Sequence, residues 1–166
     1  MRLLSSLAVV ASATVMFASI VYAQQQGAPP PPAPPFGPSI SLEQAKKVAA
    51  AAEAEAKKKN LNSAFAILEP NGALVYFAKM DGTQYAAINV AMDKALSAAL
   101  YRRPTAAFDA GLRVGNTYLL NLRNMNAVPG GIPIVVDGKL IGAIGVSGGS
   151  GPEDVQVAEA GAAGLK

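Results

Sequence analysis

Two tight-turn dipeptides, Asn71-Gly72 and Asp137-Gly138, each stand between apolar runs, and no other feature of the chain constrains its fold as much. Such pairs supply the positive φ angles that short hairpin turns need. The flanking runs are Ala64 to Leu68, Ala73 to Ala78, Ile132 to Val136 and Leu140 to Val146. Because a tight hairpin joins antiparallel strands, the sequence predicts two antiparallel hairpins.

Helical patterns surround these hairpins. Ser41 to Gln44 has the pattern of a capping box and predicts the start of a helix. Gln84 to Tyr101 is predicted as a second helix, with a small-residue stripe that lets it pack closely on a sheet. The stripe consists of Ala91, Ala95, Ala98 and Ala99, and as a flat small-residue surface it also indicates self-association of the domain.

The remaining segments are less uniform. After Pro104, Thr105 is placed to cap a further short helix. Asn116 to Asn126 has apolar residues at helical spacing but four asparagines, so helix and irregular backbone both stay open. Pro152 marks the start of a last helix that runs to about Ala163. The order of helices and hairpins indicates an α+β fold.

Residues 1–23 have the pattern of a secretory signal. Arg2 precedes a long apolar run, and Val21 and Ala23 are small residues ahead of Gln24. We expect cleavage after Ala23 and a periplasmic or secreted protein that has no membrane contact afterwards. The alternative is a membrane anchor, since the run approaches the length that spans a bilayer.

Residues 24–40 are rich in proline and predict a semi-rigid spacer in polyproline II conformation. Ten residues of it, Pro29 to Pro38, would extend roughly 30 Å. A proline-rich ligand for a partner domain is the alternative. Residues 41–166 then form one domain, which is long enough to bury a core of its own.

The chain has no cysteine and no histidine. Disulfides, Cys/His zinc sites, histidine-based triads and cysteine nucleophiles are therefore excluded. Loss of Arg2 with the leader leaves 13 cations against 11 anions, a net charge of +2. That charge is too weak to indicate nucleic acid or a membrane surface as a partner.

Several motifs together match a known family. They are Phe77 to Gly82, Asp93 to Ala98, Arg103-Pro104-Thr105, Pro129 to Gly138, Ile141 to Gly149, Asp154 and Ala158 to Gly161. On these motifs the chain resembles the GlcG/HbpS-like haem-binding family from about Ser41 to Leu165. The resemblance implies a profilin-like antiparallel sheet flanked by helices, assembly into a homo-oligomer, and binding of haem or a related tetrapyrrole.

The missing histidine leaves the iron ligand open. The candidates are Met80, Met92, Met125, Tyr85, Tyr101, Lys94 and Thr105. We favour Tyr101 as the metal ligand, Lys94 and Arg103 as partners of the propionates, and Thr105 as a further cofactor-binding residue. No catalytic residue is identified, since no nucleophile or base stands out. The alternative function is an interaction or accessory module of a periplasmic partner complex, with no haem bound.

Overall fold

The two predicted hairpins form one four-stranded sheet in the structure, a computed structural model that describes residues 32–165. The predicted leader and the first part of the spacer lie outside the described residues. The strands are β1 (Ala64–Leu68), β2 (Leu74–Lys79), β3 (Gly131–Val136) and β4 (Lys139–Ser147). Their order is β2-β1-β4-β3, and every neighbouring pair is antiparallel. The predicted α+β class is confirmed.

Helices cover both faces of the sheet. They are α1 (Leu42–Lys58), α2 (Ala86–Tyr101), α3 (Ala106–Arg113) and α4 (Gly151–Ala163). Helix α2 packs on one face, and α1 and α4 pack together on the other. A 3₁₀ helix, Thr117–Asn121, follows α3 and packs on it. Among residues 32–165, no helix is both long and apolar enough to cross a bilayer.

Strand β1 shows how the sequence separates the two faces. All five of its residues are buried, because it lies between β2 and β4 and carries helices on both sides. Ala64 and Ala66 pack with the alanines of α2, whereas Phe65 and Ile67 pack with α1 and α4. On the face toward α2, β1 therefore carries two small side chains followed by Leu68, whereas its opposite face carries large ones.

The small-residue stripe of α2 lies against this small-residue face. A Cβ at Gly145 would overlap the carbonyl oxygen of Ala91 and would lie 2.5 Å from the amide nitrogen of Ala95. The predicted close packing of α2 on the sheet is confirmed. The interpretation of the stripe as a surface for self-association is wrong, because all four alanines are fully buried inside the domain.

The two hairpin turns differ. Asp137 and Gly138 both have positive φ angles, 49° and 73°, as a two-residue primed turn requires. In the other hairpin only Gly72 has a positive φ, and the amide of Glu69 donates to the carbonyl oxygen of Ala73 at 2.8 Å. This wider turn is accompanied by a register shift between Ile67 and Leu68.

The first residues of α1 and α3 differ in how they are capped. The capping box is present: the Ser41 amide donates to Gln44 Oε1 at 2.9 Å and the Gln44 amide to Ser41 Oγ at 3.2 Å. Thr105 is the N-cap residue of α3, as predicted, but its side chain makes no capping hydrogen bond. Its hydroxyl accepts instead from the amide of Gly131 at 3.0 Å.

Part of the segment predicted as spacer packs on the domain. The amide of Leu140 donates to the carbonyl oxygen of Pro35, and the amide of Gly37 donates to that of Leu140, at 2.8 and 2.7 Å. Ile40 is buried in the core. Residues 34–40, called the arm below, therefore line the start of β4, and the predicted rod does not stand free along its whole length.

Candidate functional site

All arginines except Arg2 lie in one part of the chain. They are Arg102, Arg103, Arg113 and Arg123. The stretch from residue 102 to residue 123 contains a single acidic residue, Asp109. This stretch joins the end of α2 to the 3₁₀ helix and carries a local excess of positive charge that the overall net charge does not reveal.

Aromatic contacts hold the start of this stretch. The rings of Tyr101 and Phe108 meet edge to face, with centroids 5.2 Å apart. The guanidinium of Arg103 lies over the ring of Phe108, 5.8 Å from the ring centroid. The hydroxyl of Tyr101 donates to the carbonyl oxygen of Arg123 at 2.6 Å, and so fixes the segment after the 3₁₀ helix against α2.

The other two arginines differ in their partners. Arg113 Nε donates to Asp109 Oδ2 at 2.9 Å, and this hydrogen bond raises the pKa of Arg113 above its ordinary value. Arg102 Nη1 donates to the carbonyl oxygen of Pro34 at 3.1 Å, and its guanidinium lies 4.9 Å from the ring centroid of Phe36. Arg102 thus contacts the arm, while Arg103 and Arg123 are exposed.

Large apolar side chains are exposed in the same stretch of chain. Tyr118 is 65% exposed and Leu120 is 66% exposed, on either side of Leu119, which packs against Gly111 of α3. We call the exposed side chains of Arg103, Arg113, Tyr118, Leu120 and Arg123 the arginine face. Exposed apolar area and positive charge in one stretch of chain are the chemistry that an apolar, anionic ligand needs.

Lys94, predicted to bind a propionate, is buried instead. It is 1% exposed, and its ammonium donates to Asp154 Oδ2 at 2.6 Å and to the carbonyl oxygen of Val146 at 2.9 Å. Burial lowers the pKa of Lys94 and raises that of Asp154, and the hydrogen bond between them opposes both shifts. In this conformation the ammonium links α2 to α4 and does not reach a surface ligand.

Thr105 and Tyr101 also have partners within the fold. The Thr105 amide donates to the carbonyl oxygen of Gly131, and its hydroxyl accepts from the Gly131 amide, both at 3.0 Å. Thr105 thereby provides partners for the backbone amide and carbonyl of Gly131 at the outer edge of β3. Of the four predicted site residues, the structure brings Tyr101 and Arg103 together around Phe108, and it places Lys94 and Thr105 at the start of β3.

Sequence reasoning missed Arg113, Tyr118 and Arg123 as candidates. The clustering of arginine was countable from the sequence and could have revealed two of them. Tyr118 could not be singled out, because the backbone of Asn116 to Asn126 was ambiguous. Its exposure depends on how the 3₁₀ helix packs on α3.

Three surface grooves offer other places for a ligand. They have volumes of about 410, 230 and 290 Å³. The first two are bordered by Glu159 and Asp93, and the third by Asp137 and Lys139. A carboxylate at the edge of a groove repels an anionic ligand. The first two grooves therefore suit an anionic ligand less well than the arginine face does, and the third has one charge of each sign.

Comparison with known proteins identifies relatives. A family model described as "Haem degrading protein HbpS-like" matches residues 40–163. Protein GlcG of Escherichia coli K12 is 37% identical over 108 residues, which cover 65% of this chain and 81% of that relative.

Solved structures agree with the fold. A double mutant of HbpS from Streptomyces reticuli is 30% identical, with a TM-score of 0.72, over 84% of this chain and 99% of that one. A PduOC:haem complex has a TM-score of 0.68 at 22% identity, over 76% of this chain and 94% of that one. At that identity the second likeness supports the fold alone.

Proposed function

The chain belongs to the HbpS-like family, and we propose that it is an exported, non-catalytic protein that binds haem or a related tetrapyrrole and works as a homo-oligomer. The observation that carries the binding proposal is the arginine face. Three exposed arginines, and the exposed side chains of Tyr118 and Leu120, all belong to the stretch from residue 102 to residue 123. A tetrapyrrole offers a matching combination of an apolar ring and carboxylates.

The residues of the face fit the group in two respects. Guanidinium groups bind carboxylates through charge-assisted hydrogen bonds, so Arg103 and Arg123 would hold the propionates. Tyr118 and Leu120 would contact the apolar ring. Haem, when bound, supplies an iron centre whose absorption spectrum reports its ligands. Lys94 and Thr105 enter this proposal as residues that hold the fold around β3.

Hemin titration tests the proposal. We expect the Soret band to shift and to saturate at a fixed stoichiometry. Arg103→Ala and Arg123→Ala should each weaken binding, because each removes an exposed cation. Lys47→Ala, which removes an exposed cation from α1, is the matched control and should leave the affinity unchanged. An unsaturable drift, or equal effects of all three variants, would contradict the proposal.

Asp109→Ala provides a test in the opposite direction. It removes the one acidic side chain of the stretch and releases Arg113 from its ion pair. Hemin should bind more tightly to this variant, and the gain should shrink at high salt, since exposed charges are screened.

The second candidate function is an interaction module without a bound tetrapyrrole. It is favoured by one observation: the polar groups of Tyr101, Lys94 and Thr105 are all hydrogen-bonded within the fold. In that case the exposed face would contact a periplasmic protein. Failure of the wild-type protein to bind hemin under the conditions above would favour this function.

Export is the remaining part of the proposal. The sequence places cleavage after Ala23, so the exported protein should begin at Gln24. Intact mass measurement should show the loss of 23 residues. Ala23→Arg should keep the leader attached, because signal peptidase requires a small residue at that position.

A further inference from the structure

We propose that two copies of this chain associate through β2, by antiparallel pairing of their β2 strands about a two-fold axis. The inference rests on the homo-oligomer part of the proposed function and names the surface for it. The sheet has two outer edges, because β2 and β3 are its first and last strands. An outer edge presents backbone amides and carbonyls that can pair with another strand. The two edges differ in how far those groups are already used.

The outer edge of β3 is closed by the chain's own residues. The amide of Val146 donates to the carbonyl oxygen of Gly130 at 2.9 Å. Because bonded pairs alternate along antiparallel strands, Gly131 and Pro133 point their backbone groups away from β4. The amide and the carbonyl of Gly131 are both bonded to Thr105, and proline has no amide to donate. A strand docking on β3 would therefore find few partners.

The outer edge of β2 is open. The amide of Met80 donates to the carbonyl oxygen of Ser63 at 3.0 Å, which continues the register of β1 and β2. By the same alternation, Phe77 and Lys79 point their backbone groups away from β1. Among residues 32–165, these outward groups have no hydrogen-bond partner. The strand contains no proline, and its only charged residue is Lys79, at its end. Most of the features that keep edge strands from pairing are thus missing from β2.

The side chains of β2 are also left partly uncovered. Helix α2 packs mainly on β1, β3 and β4, so β2 lies at the border of that helix layer. Phe77 packs against the cluster between α2 and β1 and remains partly exposed. Leu74, at the start of the strand, is 50% exposed. A paired strand would remove this apolar surface from water.

A second copy fits the edge because the strand is complementary to itself. With Phe77 on the two-fold axis, antiparallel pairing sets it opposite the partner's Phe77, and aromatic cross-strand pairs are stabilising. Val75 then lies opposite the partner's Lys79. The two copies of Lys79 stand four residues apart along the paired strands, about 14 Å. That exceeds the screening length of about 8 Å at physiological ionic strength, so the two charges do not oppose this pairing.

The chain's own N-terminal segment is a poorer occupant of the edge. Residues 29–32, 34 and 35 are prolines, which have no amide to donate to a neighbouring strand. The arm is already in use at another strand, since Pro35 and Gly37 are hydrogen-bonded to Leu140 of β4. The strand that pairs with β2 must therefore come from another chain.

Charged variants at Phe77 test the pairing. Phe77→Lys and Phe77→Glu each place like charges directly opposite one another, which destabilises a cross-strand pair. By light scattering, each variant alone should have half the wild-type mass or less. An equimolar mixture of the two should regain the wild-type mass, because opposite charges then face each other. Val135→Lys, which puts a charge on an exposed apolar position of β3, is the matched control and should keep the wild-type mass.

Amide exchange of the wild-type protein gives a second readout that needs no substitution. In the assembled protein, the outward amides of Phe77 and Lys79 should exchange as slowly as the amide of Ala78, which faces β1. At an unpaired edge both outward amides would exchange faster than that of Ala78, because water reaches them directly.

The outcomes separate this inference from the proposed function. If the wild-type protein is assembled but both Phe77 variants keep its mass, or the outward amides exchange fast, the pairing through β2 is overturned while the homo-oligomer stands. A mixture of folded variants that does not regain the wild-type mass also overturns it. If a variant does not fold, the exchange rates decide alone. If the wild-type protein is a single chain, the homo-oligomer proposal fails and the inference with it, and the open edge is left for a strand of a different protein.

Discussion

At the scale of single residues, the strongest constraint is the buried ion pair of Lys94 and Asp154. Both side chains are almost fully excluded from water, and their charged atoms lie 2.6 Å apart. A buried charge that loses its partner is left without compensation. The sequence showed Lys94 and Asp154 as motif residues of the family resemblance, but it could not show that they pair, because they lie 60 positions apart.

Replacement of Asp154 should therefore be severe. We expect Asp154→Ala to lower the free energy of unfolding by about 3–5 kcal/mol, as for other broken buried pairs. Urea denaturation measures the change. Asp109→Ala breaks the ion pair with the exposed Arg113 and is the control, with an expected loss much smaller than that of Asp154→Ala. The double variant Lys94→Met with Asp154→Leu should recover much of the stability. Equal losses for Asp154→Ala and Asp109→Ala would show that the buried pair has no special role.

Gly145 carries a second prediction at this scale. Because a Cβ there would overlap the Ala91 carbonyl oxygen, Gly145→Ala must push α2 away from the sheet. We expect a loss of about 1–3 kcal/mol or more, as in other overpacked cores. Gly151→Ala is the control, since its Cβ would lie 3.4 Å from Pro129, an ordinary contact. Thermal melts of both variants compare them, and similar melting temperatures would contradict the close packing.

At the scale of elements, the hairpins were predictable because each depends on a local turn. Asp137-Gly138 needs only its own two positive φ angles and the apolar runs beside it. The 3₁₀ helix was not predictable, since Leu119 is placed by its contact with Gly111 of α3 and not by its own neighbours in sequence. The role of Thr105 was missed for the same reason: its partner, Gly131, lies on a strand 26 positions away.

The arm gives the prediction that belongs to this scale. Arg102 contacts both Phe36 and Pro34, and an exposed cation–π contact contributes about 0.5–1 kcal/mol. Arg102→Ala should therefore loosen the arm and speed amide exchange at Gly37 and Leu140 by on the order of fivefold. Arg103→Ala, which removes the neighbouring cation, should leave both amides unchanged. Unaltered exchange in Arg102→Ala would mean that the backbone bonds to β4 hold the arm by themselves.

At the scale of the whole molecule, the proposed self-association would need a surface other than the alanine stripe. The alanine stripe of α2 is inside the domain, where it sets the distance between helix and sheet. The exposed apolar side chains of the described residues lie elsewhere, with Val114, Tyr118 and Leu120 among the most exposed. Small apolar residues in a helix predict close packing, and the sequence alone does not say whether the partner is the same chain or another copy.

The homo-oligomer proposal leads to a measurement that does not depend on which surface is used. If association stabilises the folded chain, mass action makes the melting temperature rise with protein concentration. Light scattering of the protein without residues 1–23 at micromolar concentration should give a mass that is a multiple of the single-chain mass. Its melting temperature should fall over a hundredfold dilution series. A single-chain mass together with a melting temperature independent of concentration would contradict the proposal. In that case the exposed apolar side chains would be left for the tetrapyrrole or for a different protein.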